Sequence, residues 1–260
     1  VRNLPGVGAN LQDHVVLEVP AASEAGCPAE REASSFAFPG SLRRLSDRFG
    51  LGAAPSSAVA GLYARSEASL PHPDLFMTLL PSGAEPSRAE ALGAQAGAVE
   101  VALIGGRARG RVALDGASPL VRFDALADAE DRRALARGAR MACEALDRCE
   151  GLRPPQPETS DEAYLRSCRQ VGRPVGTCAM GQGAMSVVDG DLCVHGLEGL
   201  RVADASVLPS ADLSADSCAS TVLIAEVAAR LLAKSMASYH RSQYGMPPVA
   251  APMPLQQQCA

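Results

Sequence analysis

The stretch from Gly172 to Pro209 allows few folds. Its first 28 residues hold seven glycines, and its apolar runs are cut at Asp189-Gly190, His195-Gly196 and Glu198-Gly199. Runs that short cannot sustain a helix. The segment reads as a glycine-rich loop over 172–183, then short apolar strands alternating with tight turns over 186–209. Immediately downstream the spacing changes. From Ser217 or Ser220, apolar residues at Val222, Leu223, Ala225, Val227, Leu231 and Leu232 predict a long helix. Any fold of this chain must accommodate a turn-rich layer feeding directly into that helix.

The preceding residues are mixed. Residues 1–14 are dense in turn formers, with Pro5-Gly6, Gly8, Asn10 and Asp13, and read as a shaped loop whose Asn and Asp satisfy its own backbone. Strands are expected over 58–65, 74–80, 99–105, 109–116 and 120–126, with 99–105 and 109–116 paired as a hairpin. Alternation puts Leu75, Met77 and Leu79 on one face, as core, with cavity lining by Phe76, Met77 and Leu79 as the functional alternative. Helices are expected from Ser41 to Phe49, from an Asp128 cap to Arg148, and from Ser160 to about Cys168. Residues 84–97 read as a surface loop and 238–260, with four prolines and a Gln run, as a flexible tail.

Composition excludes several functions. Of 260 residues 47% are apolar, a globular composition, and no run approaches the ~20 apolar residues of a membrane span. A net charge of −5 and no Trp argue against a nucleic-acid partner, which would need clustered positive charge or an aromatic platform. Lys234 stands as the single Lys beside 23 Arg, which reads as coding bias. None of the eight Cys forms a CxxC pair, and no Cys/His set has zinc spacing, so no metal site is expected. The thiols read as reduced, in a reducing compartment. Val1-Arg2-Asn3-Leu4-Pro5 has neither a leader pattern nor an initiator Met and reads as interior sequence.

Two stretches carry more than periodicity. NLPGVGANLQDH (3–14), and GRPVGTCAMG (172–181) followed by VVDGDLCVHGLEGLRVADASVLP (187–209) and STVLIAEVAARLL (220–232), resemble the glucose–methanol–choline (GMC) oxidoreductases in motif and order. The resemblance spans roughly 1–236. It implies an FAD-dependent enzyme oxidising CH–OH donors, with a small-molecule alcohol as substrate. The implied fold is α+β: an antiparallel-sheet substrate-binding domain with flanking helices (21–170), and the C-terminal remnant of an α/β FAD-binding domain (1–20 and 171–237). The GxGxxG turn that cradles a dinucleotide pyrophosphate occurs nowhere in the 260 residues.

The resemblance also assigns residues. Asp204 and Ala205 fall where the family meets the flavin ribose and phosphates. Ser217 and Cys218 open the helix that points at the flavin pyrimidine, and Asn10 is a further candidate cofactor contact. The family's catalytic His position holds Arg173, and its second catalytic position, ten residues before Glu226, holds Asp216. A guanidinium with a pKa above ~12 is no general base. Arg173 and Asp216 are therefore expected to pair, or Arg173 to hold a carboxylate substrate. The latter suits a family branch resembling fatty acid photodecarboxylases; a third alternative is a catalytically degenerate, non-enzymatic paralogue. His14, His195 and Cys178 read as structural.

Overall fold

The computed structural model describes residues 2–22, 60–81, 97–149, 152–154, 160–211 and 217–244. Its strands are β1 (Val15–Ala21), β2 (Ala60–Ala64), β3 (Leu75–Pro81), β4 (Gly97–Leu103), β5 (Arg111–Asp115), β6 (Ser118–Arg122) and β7 (Arg169–Gln170). Its helices are α1 (Ala129–Asp147), α2 (Asp161–Ser167) and α3 (Ser217–Tyr244), with a 3₁₀ turn at Ala205–Val207. The fold is α+β. Five strands form an antiparallel sheet in the order β2-β3-β4-β1-β7, and β5 and β6 form a separate ribbon. The expected helix over 41–49 and loop over 84–97 lie outside the described residues, apart from Gly97, which opens β4.

Strand alternation builds the main core. Val15, Leu17 and Val19 of β1, Leu75 and Met77 of β3, and Val99, Val101 and Leu103 of β4 turn to one face and are buried. Against them α1 lays Ala134, Leu135, Ala139, Ala142 and Leu146, a helical stripe of small and large residues. Full burial of Leu135 alone contributes about 1.5–3 kcal/mol. Gly138 permits the close approach: a Cβ there would lie 2.7 Å from Val101 Cγ1. Met77 and Leu79 thus belong to the core rather than to a cavity wall, whereas Phe76 faces the other way and packs on Tyr63, with ring centroids 4.7 Å apart.

Local chemistry sets the helix starts. The Asp128 carboxylate accepts from the N–H groups of Glu130 (2.7 Å) and Asp131 (3.2 Å), and the Ser160 hydroxyl accepts from Ala163 N–H. Asp131, buried inside the first turn, reaches instead to the N–H groups of Arg107 and Ala108 and pins the loop that leaves β4.

The hairpin expected between 99–105 and 109–116 does not form. β4 is central, with β3 on one side and β1 on the other, and β5 pairs with β6 across the tight turn at Gly116. β4 is a nearly continuous apolar run, which suits a strand flanked on both edges. On the sheet face away from α1, Glu18 and Glu100 stand directly opposite each other, and Arg169 of β7 bridges them at 3.5 and 2.6 Å.

The C-terminal third builds a second core of Val175, Val187, Val188, Leu192, Val194, Val207, Leu208, Ile224 and Ala228. Turns and single β-bridges connect its short apolar runs, as the glycine spacing predicts. α3 starts at Ser217 and runs to Tyr244, past position 238 where a tail was expected. One side of it packs on the second core. The other exposes Val222, Leu223, Leu232, Met236 and Tyr239. No helix among the described residues is long and apolar enough to cross a membrane.

Candidate functional site

The N-terminal loop, the glycine-rich loop and the segment entering α3 meet at one place. Gln12 and His14 alternate along the approach to β1, and Asn10 joins them from the left-handed turn just before; all three side chains reach the same neighbour. That neighbour is Pro209–Ala211. Asn10 Nδ2 and Gln12 Nε2 each donate to Pro209 O at 3.1 Å. Gln12 Oε1 accepts from Ala211 N–H at 3.2 Å. His14 Nε2 lies 2.9 Å from Ala211 O, and since a carbonyl only accepts, Nε2 carries the proton. Three side chains at period two supply the hydrogen bonds that a neighbouring strand would otherwise give this backbone.

The same residues grip the glycine-rich loop. Gln12 and Val175 exchange backbone hydrogen bonds at 3.1 and 2.9 Å. The Asp13 carboxylate accepts from Gly172 N–H at 2.8 Å and Arg173 N–H at 3.2 Å. Asp13 therefore holds the partner loop, not its own as expected. Its side chain leaves the strand on the side opposite Gln12, where the 172–173 turn presents two N–H groups. Gly176 adopts φ +92°, and a Cβ there would lie 2.4 Å from Asn10 O, so the close approach requires glycine. Gly8 N–H donates to Thr177 O, and Cys178 and Met180 N–H donate to Ser206 and Val207 carbonyls.

The residues singled out from the sequence distribute as follows. Arg173 is exposed, its backbone held by Asp13. Asp216 lies outside the described residues. Asp204 caps the 3₁₀ turn. Its Oδ1 accepts from Ser206 N–H at 2.8 Å and from the Ser206 hydroxyl, while the carboxylate remains exposed. Ala205 begins that turn. Ser217 is buried at the start of α3 and Cys218 is exposed beside it. Asn10 spends its amide on Pro209 and takes a left-handed φ of 58°.

His195 Nε2 lies 2.9 Å from Gly181 O and is a turn brace, as its place in the sequence predicts. Cys178 is half-buried against the second core. Burial pushes the Cys168 thiol up to about 11. Among the described residues no group of His, Cys, Asp and Glu has the arrangement of a metal site.

Sequence reasoning missed Gln12. The signal was present as the period-two row Asn10-x-Gln12-x-His14, an edge of polar side chains where a buried strand would be apolar. Chemically, the exposed Asp204 can accept sugar hydroxyls, and a first turn of α3 without an acidic side chain suits an anionic group. An acceptor and a helix N-terminus of this kind are chemically compatible with the ribose and flavin ends of FAD, and the GxGxxG pyrophosphate fingerprint is absent from the 260 residues.

Residues 106–225 match the family model described as GMC oxidoreductase. Curated relatives include an oxygen-dependent choline dehydrogenase of Paraburkholderia phymatum, 32% identical over 92% of this chain and 46% of the relative. An alcohol dehydrogenase (acceptor) of Pseudomonas putida is 29% identical over 91% and 46%. Among solved structures, pyridoxine 4-oxidase from Mesorbium loti aligns at TM-score 0.62 with 22% identity, over 88% of this chain and 44% of that one. An Aspergillus oryzae formate oxidase aligns at 0.64 with 22% identity, over 92% and 48%. The chain spans about half the length of the proteins it matches.

Proposed function

We propose that the chain is a GMC oxidoreductase, the family whose model residues 106–225 match, and that it supplies the substrate-binding domain and the flavin-facing segments of an FAD-dependent oxidoreductase acting on CH–OH donors. The observation that carries this reading is the convergence of loop 3–14, loop 172–181 and segment 204–211 beside the start of α3, held by the Asn10, Gln12, Asp13 and His14 contacts. In this reading residues 21–170 form the substrate domain, and 1–20 with 171–237 complete a dinucleotide-binding domain. The exposed apolar side of α3 is the surface on which the rest of that domain would pack.

FAD bound there would accept the hydride that an alcohol carbon releases. Asp204 would accept ribose hydroxyls, the N–H groups of Ala205, Ser217 and Cys218 would face oxygen atoms of the cofactor, and Asn10 would approach from the opposite loop. Arg173 cannot take the hydroxyl proton. It would instead donate to the substrate oxygen and stabilise negative charge developing there, with the proton passing to water. An alcohol would then leave as the aldehyde. Named relatives that are choline and alcohol dehydrogenases support this class.

A second reading follows from the residue type at this family position: Arg173 would hold a carboxylate bidentately, as in light-driven decarboxylation of a fatty acid. The test is the complete gene product, including any sequence encoded upstream of Val1, purified and analysed for bound flavin, then given alcohols in the dark and fatty acids under light. One FAD per chain with aldehyde in the dark supports the first reading. Hydrocarbon under light alone supports the second. Absence of flavin overturns both and leaves the non-enzymatic alternative. Restored turnover in Arg173→His would mark a damaged site on an intact scaffold.

A further inference from the structure

We infer that Gln12 is the positioning residue of this site, setting the glycine-rich loop in register with the segment that enters α3; the inference rests on the flavin reading above. Gln12 is 2% exposed and uses every polar group it has. Its backbone N–H and carbonyl exchange bonds with Val175, two residues from Arg173. Its side-chain amide donates to Pro209 O at 3.1 Å and Asn10 O at 3.4 Å, and its Oε1 accepts from Ala211 N–H at 3.2 Å. One residue thus ties together three segments that are distant in sequence. Asn10 and His14 each reach only one carbonyl of Pro209–Ala211. Gln12 is the rung that contacts both residues, one by donation and one by acceptance.

The consequence is geometric. Arg173 sits on one tied segment, and Asp204 and the approach to α3 on another. A substrate held by the first must meet a cofactor held by the second, and misplacement by about 1 Å can cost about 100-fold in rate. Gln12 touches neither partner; it fixes their separation. A buried amide is uncharged and satisfied by both donation and acceptance, so it holds this register without the desolvation cost of an ion.

The test uses Gln12→Met, which keeps the length and loses the hydrogen bonds, and Gln12→Glu. A protonated Glu reproduces the Gln pattern, its O–H donating to Pro209 and its carbonyl accepting from Ala211. An ionised one sets a carboxylate against the Pro209 and Asn10 carbonyls. In the flavin-loaded complete gene product, Gln12→Met is expected to lose about 10–100-fold in kcat per bound flavin with KM within about twofold. Gln12→Glu should acquire a pH dependence absent from the parent, with turnover near normal in acid and falling as the carboxyl ionises. In the 260-residue chain, amide exchange at Ala211 should accelerate in Gln12→Met.

Should Gln12→Met fail to fold, Gln12→Glu in acid and at neutral pH decides alone. A lowered Tm with kcat per flavin, KM and pH profile unchanged in both variants would overturn the proposal and reduce Gln12 to a brace. A parent protein that binds flavin while the variants behave normally contradicts only this inference. A parent without flavin overturns the functional reading and this one with it.

Discussion

Asp13 holds the backbone of Arg173. Its carboxylate spans 159 residues of sequence to accept from Gly172 N–H and then from Arg173 N–H, closing the turn on which the guanidinium sits. An ionised acceptor makes such bonds stronger than a neutral one would. Asp13→Ala is expected to lose about 1–2 kcal/mol of unfolding free energy and protection of both amides from hydrogen exchange. Asp13→Asn, which keeps one acceptor, should retain part of each. Unchanged exchange at Gly172 and Arg173 in the Ala variant would contradict the contact.

Gly176 and Gly172 both adopt left-handed backbone, but only one is crowded. A Cβ at Gly176 meets Asn10 O at 2.4 Å, whereas at Gly172 nothing lies within 4 Å. Gly172→Ala should therefore cost only the conformational penalty of about 1 kcal/mol. Gly176→Ala adds displacement of the Asn10 backbone and should cost about 2–4 kcal/mol. Chemical denaturation of the two variants side by side measures the difference; equal losses would mean that the loops are not pressed together.

Arg169 answers a like-charge pair. Glu18 and Glu100 are cross-strand partners, and β7 contributes the cation that reaches both. Arg169→Met removes the cation that reaches both carboxylates and should cost about 1–2 kcal/mol at neutral pH. The double variant Arg169→Met with Glu100→Gln should recover much of the loss. Stability unaffected by Arg169→Met would show the bridge to be idle.

Burial raises the Cys168 thiol to about 11 from 9.0. The raised value means that the folded protein holds the neutral thiol in preference. Its contribution to stability is intact below the unfolded thiol's pKa near 9 and is lost as pH rises from there through about 11. At pH 8 the exposed Cys149 and Cys218 should alkylate before Cys168, whose burial restricts both access and ionisation. Mass spectrometry of a timed iodoacetamide reaction checks the order.

Elements were more legible than their partners. Asp128 and Ser160 announce their helices because a cap acts on N–H groups two or three residues away. The alternation of Leu75 and Met77 announces a buried face for the same local reason. Strand pairing is non-local: the apolar run in residues 99–105 marks a strand flanked on both edges but does not name β1 and β3 as its neighbours. The family resemblance was legible from the order of its motifs, and Asp204 caps the 3₁₀ turn they contain. Gln12 was not, because an amide has no charge or titration to mark it. Its role exists only once Val175, Pro209 and Ala211 are brought to it.

The central claim is that this chain carries the substrate side of a flavin-dependent alcohol oxidation. The most direct measurement mixes the flavin-loaded complete gene product with a panel of primary alcohols, anaerobically and in the dark. The account predicts bleaching of the oxidised flavin absorbance with one aldehyde formed per flavin. Flavin that stays oxidised with every alcohol while Arg173→His becomes reducible, or a protein that binds no flavin, would contradict it.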